Sequence, residues 1–180
     1  MSCYQGMRLP GSLRIVILVA LSGALGGLAA LPAVAVDGVI EINQARATAG
    51  GVTVGDAPGF PVTLGSSGSY RLTGNLTITD GDLTGIEIPA DDVHLDLNGF
   101  SIKGPISCGG APFILCINPT GGGFAGDGIR STGDQVSVVN GSVAGMGRRG
   151  LDMAGNSRVE RVHATSNGGG GIHLCVSSND

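Results

Sequence analysis

The chain carries a repeat in which a glycine is followed by a large aliphatic residue at regular spacing. The pairs Gly128-Ile129, Gly150-Leu151 and Gly171-Ile172 follow one another at intervals of 22 and 21 residues. An earlier pair, Gly85-Ile86, lies 43 residues before Gly128, which equals one repeat plus an insertion. A period of this length is typical of a solenoid, in which each turn stacks on the one before it.

Two apolar rows should result if strands of successive turns pair in parallel, because equivalent residues then lie about 4.8 Å apart. The strand-like segments VHLDL, VSVV and VERV begin at similar distances after their glycines. The spacing therefore predicts that equivalent apolar residues stack along the solenoid axis. The predicted inward rows are Ile86, Ile129, Leu151 and Ile172, and Val93, Val136 and Val159.

The dipeptide Asn98-Gly99 lies between two alternating segments, VHLDL and FSIKG. Asn-Gly in that position is the usual signal of a β-hairpin. The same dipeptide recurs as Asn140-Gly141, and in the third repeat its place is taken by His163-Ala164. Because a hairpin does not explain the period, the repeat favours a corner at which the chain turns and continues in the same sense.

The glycine content supports short strands joined by turns. The sequence has 34 glycines among 180 residues and no G-X-Y period, which excludes collagen. Glycine at this level disfavours long helices. Recurring valine, isoleucine and leucine exclude a disordered linker.

Residues 1–35 have the pattern of a secretory signal peptide. Arg8 and Arg14 precede an uncharged apolar run, Ile15–Leu31, and Ala33-Val34-Ala35 provides a small-x-small cleavage site. The alternative is an uncleaved membrane anchor, although the run is short for a span. Cleavage predicts a secreted or periplasmic protein with no stable membrane insertion.

The exported chain is acidic. Without residues 1–35 it holds eight basic and fourteen acidic side chains, a net charge of −6. Nucleic acids and anionic membranes are bound through basic patches, so neither is an expected partner.

The segments LDLNGFSIKG (Leu95–Gly104) and GSYRLTGNLTI (Gly68–Ile78), with the glycine-aliphatic repeats, resemble those of the pectate-lyase-like superfamily of exported β-helix proteins. The resemblance implies an all-β fold, a right-handed parallel β-helix with about 22 residues per coil. Residues 68–180 would form the β-helix, with residues 105–125 inserted, and residues 36–67 an N-terminal cap and lead-in. Within that cap, Val39–Gly51 is expected to form a short helix ended by its glycine pair. The chain stops early in a new coil, which favours a product truncated at the C-terminus.

The insertion at residues 105–125 is the least regular part of the repeat domain. Cys108 and Cys116 are eight residues apart and are expected to form a disulfide in the oxidising environment outside the cytoplasm. Cys175 is then the odd cysteine of the exported chain. Phe113 and Phe124 either wall a sugar-binding groove by stacking or cover the side of the solenoid.

Parallel stacking also predicts an outward row of charged residues directly after the aliphatic positions: Glu87, Arg130, Asp152 and His173. Such a row fits a binding groove for sugars or uronates, with Arg130 and Asp152 as candidate catalytic groups. The alternative is a ladder of cross-strand ion pairs with no ligand. Arg148 and Arg149 open a repeat at a corner and are expected to be solvated.

Asp91 and Asp134 occupy equivalent positions and would stack about 5 Å apart. Two such carboxylates fit a glycosidase pair or half of a calcium site, but each also fits an ordinary Asp turn. The histidines fall in different phases of the repeat, so no metal site is expected from them. No cofactor is expected, and calcium enters only if the protein is a lyase.

Three functions remain open at this point. The first is an exported binding or structural scaffold for polysaccharide or a cell-surface glycan. The second is a lyase or glycosidase acting on acidic polysaccharide, and the third is a fragment of either. A count of only about four coils favours the scaffold over the enzyme.

Overall fold

The computed structural model describes residues 38–110 and 114–175, and the predicted signal peptide, Phe113 and the last five residues lie outside these ranges. The described residues form fourteen strands and one short helix. In chain order these are β1 (Ile40–Ile42), α1 (Gln44–Ala49), β2 (Val62–Thr63), β3 (Gly68–Leu72), β4 (Leu76–Thr77), β5 (Ile86–Ile88), β6 (Val93–Asp96), β7 (Ser101–Lys103), β8 (Ser107–Gly109), β9 (Leu115–Ile117), β10 (Ile129–Ser131), β11 (Ser137–Ala144), β12 (Arg149–Met153), β13 (Arg158–Thr165) and β14 (Gly170–Leu174).

The fold is all-β, and its two larger sheets consist of parallel strands contributed by successive repeats. The five-stranded sheet has the order β14-β12-β10-β5-β2. In it Ile129 pairs with Ile86 on one side and with Leu151 on the other, and Leu151 pairs with Ile172. The predicted parallel register of this row is therefore confirmed.

The seven-stranded sheet contains two columns that merge in its longest strands. The first part of β11 pairs with β6, so that Val138 lies beside Leu95, and the second part pairs with β7, so that Val143 lies beside Ile102. Strand β13 pairs along the whole of β11. Each repeat therefore passes along both columns before it crosses to the five-stranded sheet.

The Asn98-Gly99 dipeptide forms a corner, as the repeat predicted. Asn98 and Gly99 both have positive φ, 52° and 78°, and the Phe100 amide donates to the Leu97 carbonyl at 2.8 Å. The strands on either side, β6 and β7, both pair in parallel with β11. Asn140 has the same conformation, with φ 60°. Asparagine suits these positions because it enters the left-handed region at low cost.

The third corner differs from the prediction. Arg161, with φ 50°, takes the place equivalent to Asn140, and the expected His163-Ala164 dipeptide lies inside β13. Val159 pairs with Val138, and thus does not continue the row of Val93 and Val136. Both errors have one cause: the turn between β12 and β13 is one residue shorter than the turn between β10 and β11.

The core lies between the two sheets and follows the inward rows. Val62, Ile86, Ile129 and Leu151 are completely buried, as expected for residues that face the interior of every repeat. Burial of one such side chain contributes about 1.5–3 kcal/mol. Ile172, in the last strand, is 44 % exposed because no described strand covers it.

The first strand and the helix close the other end. Strand β1 pairs in parallel with β3, and α1 follows it with Ala47 fully buried in the core. The Asn43 side chain accepts the Arg46 amide at 3.0 Å, which is a typical N-cap. The helix ends at Ala49 and is capped by Gly50, whose φ is 74°. It is shorter than the predicted span of residues 39–51 because Ile40–Ile42 extends the sheet instead.

The insertion forms an antiparallel hairpin, β8 paired with β9. Cys108 and Cys116 lie opposite each other in it and form the predicted disulfide, with the sulfur atoms 2.07 Å apart. The returning segment is held by Asp82, whose carboxylate accepts the amides of Gly123 at 2.8 Å and Ala125 at 3.1 Å. The returning end of the insertion is therefore fixed to the turn before β5.

Candidate functional site

The predicted outward row exists in the five-stranded sheet. Arg130 pairs in register with Glu87 and Asp152, and Asp152 pairs with His173. Side chains alternate between the two faces of a strand. These four side chains therefore point to the face opposite the one occupied by their neighbours in the chain. The row is consequently a line of polar side chains on one face of the five-stranded sheet.

Asp152 is the centre of a charged network within this row. Its Oδ1 atom lies 2.8 Å from Nδ1 of His173 and accepts Nη1 of Arg149 at 2.7 Å, and its Oδ2 atom accepts Nη2 of Arg148 at 2.7 Å. Burial raises the pKa of Asp152, but the hydrogen bond with His173 and the charges of Arg149 and Arg148 outweigh it and lower the pKa on balance. The carboxylate is therefore ionised and fully engaged.

Asp127 completes the network from the preceding repeat. Its side chain is only 1 % exposed and forms an ion pair with the Arg148 guanidinium. Its Oδ1 atom accepts hydrogen bonds from Nε of Arg148 at 3.0 Å and from the backbone amide of Arg149 at 3.1 Å. The hydrogen bond with Asp127 raises the pKa of Arg148 despite the opposing effect of burial. The two arginines are thus ion-paired across the corner, which corrects the expectation that they are solvated.

Arg130 and Glu87 do not form the alternating ion-pair ladder. Within the described chain, no hydrogen bond or ion pair joins Arg130 to Glu87 or to Asp152, and Arg130 is exposed. The Asp152 carboxylate instead accepts hydrogen bonds from Arg148 and Arg149. The guanidinium of Arg130 is consequently available to a ligand.

The second pair of candidate catalytic acids has a local structural role. The Asp91 carboxylate accepts the amide of Asp134 at 2.9 Å, which links the turns of two neighbouring repeats. This geometry matches the turn interpretation of these residues.

The insertion places Phe124 beside the turn that precedes β14. Phe124 is 42 % exposed, and a Cβ atom on Gly168 would lie 2.9 Å from its ring. Part of the ring therefore covers the glycine corner. This contact fits the covering interpretation of the insertion more closely than a free stacking wall.

Asp152, His173 and Cys175 bring one potential metal-ligand atom each within 4.8 Å of one another. Two arginines already occupy the carboxylate of Asp152. Nδ1 of His173 is engaged as well, since it lies 2.8 Å from the same carboxylate. This combination does not suit a metal ion, because a ligand set requires free donor atoms.

A groove on the other large sheet was not anticipated from the sequence. It is an open surface groove of about 630 Å³ on the outward face of β6, β11 and β13. Its lining is polar for the most part and includes His94, Ser137, Asn140, Arg158, Glu160 and Arg161.

The groove is built from residues in register. His94, Ser137 and Arg158 form one transverse row. Along the adjacent corner Nε of Arg161 donates to Oδ1 of Asn140 at 2.7 Å. The Asn140 amide nitrogen in turn donates to Asp96 at 3.1 Å. These bonds fix the orientation of an amide and a guanidinium beside the cavity.

The charges of the groove are mixed, with an excess of cations. Arg158 forms an ion pair with Glu160, and this hydrogen bond is the main reason that the pKa of Glu160 is lowered. Arg161 adds a second guanidinium group, and His94 adds an imidazole. The groove therefore offers planar hydrogen-bond donors suited to carboxylate oxygens.

Comparisons with protein-family models, with curated proteins and with solved structures return no match for this chain. None of the helices in the described ranges is sufficiently long and apolar to cross a membrane.

Proposed function

We propose that the protein is a right-handed parallel β-helix of the pectate-lyase-like kind. The support is the parallel register, which holds from β2 to β14 at one strand per repeat, together with the two columns of the second sheet. Parallel strands joined by crossovers are right-handed in almost all proteins, which gives the proposed hand.

The proposed function is binding of an acidic carbohydrate in the groove of β6, β11 and β13. The observation that carries this proposal is the cavity itself: its volume of about 630 Å³ lies within the range of small-ligand sites, and its polar groups converge from three repeats. Arg158 and Arg161 supply guanidinium groups that match the carboxylate of a uronate, and Ser137 and Asn140 match its hydroxyl groups.

Export to the cell surface or periplasm is part of this proposal. A disulfide at Cys108–Cys116 suits an oxidising compartment, and the basic-apolar-small pattern of residues 1–35 suits secretion. The expected partner is a polysaccharide or surface glycan.

A second candidate is a lyase or hydrolase acting at the row of Arg130, Asp152 and His173. The observation in its favour is the 2.8 Å contact between Asp152 and His173, because a carboxylate that holds Nδ1 leaves Nε2 available as a general base. Arg130 next to this pair would hold the acidic group of the sugar. Calcium belongs only to this second candidate.

A glycan array carrying neutral and uronic-acid oligosaccharides tests the first proposal. The Arg158→Ala/Arg161→Ala variant should lose at least about tenfold in uronate affinity, since two charged contacts are removed. Arg46→Ala is the matched control, because Arg46 is exposed on α1 and lies outside the cavity. Unchanged affinity of the double variant would refute the groove as the binding site.

The same variants separate the two candidates. Unsaturated uronate product, followed at 235 nm with and without calcium, should be absent if the protein only binds. Product that disappears in Arg130→Ala but persists in the groove variant would establish the enzyme instead.

A further inference from the structure

The groove of β6, β11 and β13 holds two guanidinium groups, of which only one has a carboxylate partner among the described residues. Arg158 forms an ion pair with Glu160, and the hydrogen bond between them is the largest cause of the lowered pKa of Glu160. The charge of Arg161 is the smallest of the causes that lower that pKa. In the described part of the chain the exposed Arg161 side chain makes one hydrogen bond, from Nε to Oδ1 of Asn140, and no ion pair. Arg161 therefore carries the positive charge of the groove that no contact with an acid balances.

Asn140 holds Arg161 through an amide whose orientation is fixed. The amide nitrogen of Asn140 donates to Oδ1 of Asp96 at 3.1 Å, and the same oxygen accepts the backbone amide of Asn98 at 2.8 Å. Because a carboxylate offers only acceptors, the amide nitrogen of Asn140 faces Asp96 and the amide oxygen faces Arg161. The other Asp96 oxygen lies 3.7 Å from Nε of Arg71, so this acid is balanced by a cation outside the cavity.

The bond with Asn140 determines which edge of the Arg161 guanidinium a ligand can meet. A guanidinium binds a carboxylate through two parallel N–H groups, on its Nε side or at its Nη end. Since Nε donates to Asn140 at 2.7 Å, the Nη end remains for a ligand. Arg161 also has φ 50°, a conformation that the two preceding corners give to Asn98 and Asn140. Arginine enters it less readily than asparagine, and strain of this kind is concentrated at ligand-binding sites.

We propose that Arg161 is the residue that recognises the carboxylate of the glycan, and that Asp96 is its positioning residue, which acts through Asn140. These roles rest on the proposed function, because both residues act on the ligand of that groove. Arg158 has a smaller part in recognition, since Glu160 already neutralises it. The ligand is accordingly an oligosaccharide with a free carboxylate, and esterification of that group removes the contact with Arg161.

Paired affinities for an acid and for its methyl ester separate recognition of the carboxylate from a general loss of binding or folding. The probes are trimers of galacturonate, glucuronate and mannuronate, each with its methyl ester, measured by titration calorimetry. Arg161→Ala should lower the preference for acid over ester by at least about tenfold, because a charged bidentate contact is lost. Arg158→Ala/Glu160→Ala removes the ion pair without changing the net charge, and should lower the preference by less than about threefold.

Asn140→Gly tests the positioning of Arg161. Residue 140 has φ 60°, which glycine adopts without strain, so this variant removes the amide and keeps the backbone conformation. The preference for acid should fall by about three- to tenfold, whereas loss of a hydroxyl contact alone would weaken acid and ester alike. The matched control is Asn98→Gly, at the equivalent corner outside the cavity, with φ 52°; it should keep the preference within about twofold.

Two substitutions of Asp96 complete the test. Asp96→Ala should reproduce the loss seen in Asn140→Gly, whereas Asp96→Asn should restore most of the preference, because an amide oxygen can still accept from Asn140.

The outcomes distinguish these roles from the proposed function. Equal preferences in Asn140→Gly and Asn98→Gly would overturn the positioning role of Asp96. A preference that survives Arg161→Ala but is lost with the Arg158 and Glu160 pair would overturn the role of Arg161 and leave the groove as the binding site. A wild-type protein with no preference for any acid over its ester would overturn the proposed function and these roles together.

Discussion

Ile129 lies beside Ile86 in the neighbouring parallel strand, with both side chains fully buried, although the two residues are 43 positions apart in the chain. The insertion between them leaves the stack without disturbing its register. Ile86, Ile129 and Leu151, on the three inner strands of this sheet, are therefore covered on both sides by their equivalents in adjacent repeats.

The first prediction concerns this row. Ile129→Ala should lower the free energy of unfolding by about 2–5 kcal/mol, because it leaves a cavity between two rungs of the core. Ile172→Ala, at the exposed last strand, should cost under about 1 kcal/mol. Urea denaturation of both variants provides the measurement, and equal losses would contradict the stacked core.

The buried acid at the corner gives a second prediction. Asp127→Asn leaves the Arg148 guanidinium without its partner, and loss of one member of a buried pair costs about 3–5 kcal/mol. Since the Arg148 side chain is 38 % exposed and can turn to solvent, the expected loss is about 2–3 kcal/mol. The control Asp92→Asn, at an exposed turn, should stay within about 0.5 kcal/mol of wild type in chemical denaturation. A loss no larger than that of the control would refute the structural role of Asp127.

The third prediction is a pH dependence that arises from Asp152. Its pKa is lower in the folded protein than in the unfolded chain, where it is about 3.9. The resulting stabilisation is fully present above the unfolded-state value and is lost as the pH falls through the folded-state value. Wild type should therefore lose stability in acid below about pH 4 more steeply than Asp152→Asn, which is already destabilised at pH 7 by about 1–3 kcal/mol. Denaturation midpoints at several pH values provide the check, and parallel curves for the two proteins would exclude this linkage.

The corner at Asn98 leads to a fourth prediction. Asn98 has φ 52°, and its amide donates to the Leu72 carbonyl of the preceding repeat at 3.2 Å. Asn98→Ala should be less stable than Asn98→Gly by about 1 kcal/mol, because only glycine adopts this conformation without strain. Thermal denaturation of the two variants is sufficient. The opposite order would mean that residue 98 has an ordinary extended or helical conformation.

The sequence predicted the parts of the fold that follow from spacing alone. The register of Glu87, Arg130, Asp152 and His173 could be predicted because each residue directly follows an aliphatic residue that must face inward. The disulfide could be predicted because its cysteines lie close together in one insertion. The third corner could not be predicted. The turn before β13 is one residue shorter than its equivalent, and the pattern of apolar residues does not reveal this difference.

The side-chain network and the groove could not be predicted for a different reason. Asp127 lies in an Asp-Gly dipeptide that is typical of a turn, and only the fold shows that its carboxylate is buried against Arg148. The groove residues His94, Ser137 and Arg158 differ in type from one repeat to the next, so no motif connects them. The alternating segments VHLD, SVVN and RVER indicated which side chains point outward. They did not indicate which of these side chains lie next to one another, since that depends on the register of the strands.

The central claim is the in-register stacking of repeats along one axis. The most direct measurement is the distance between spin labels at Ser69 and Arg158, which occupy one outward row of β3, β6, β11 and β13, three rungs apart. Labels introduced at these two sites should lie about 14 Å apart along the axis, because each parallel rung adds about 4.8 Å whatever the length of chain between them. A separation beyond about 25 Å, outside what the label tethers can add to three rungs, would contradict the stacking and the groove built on it.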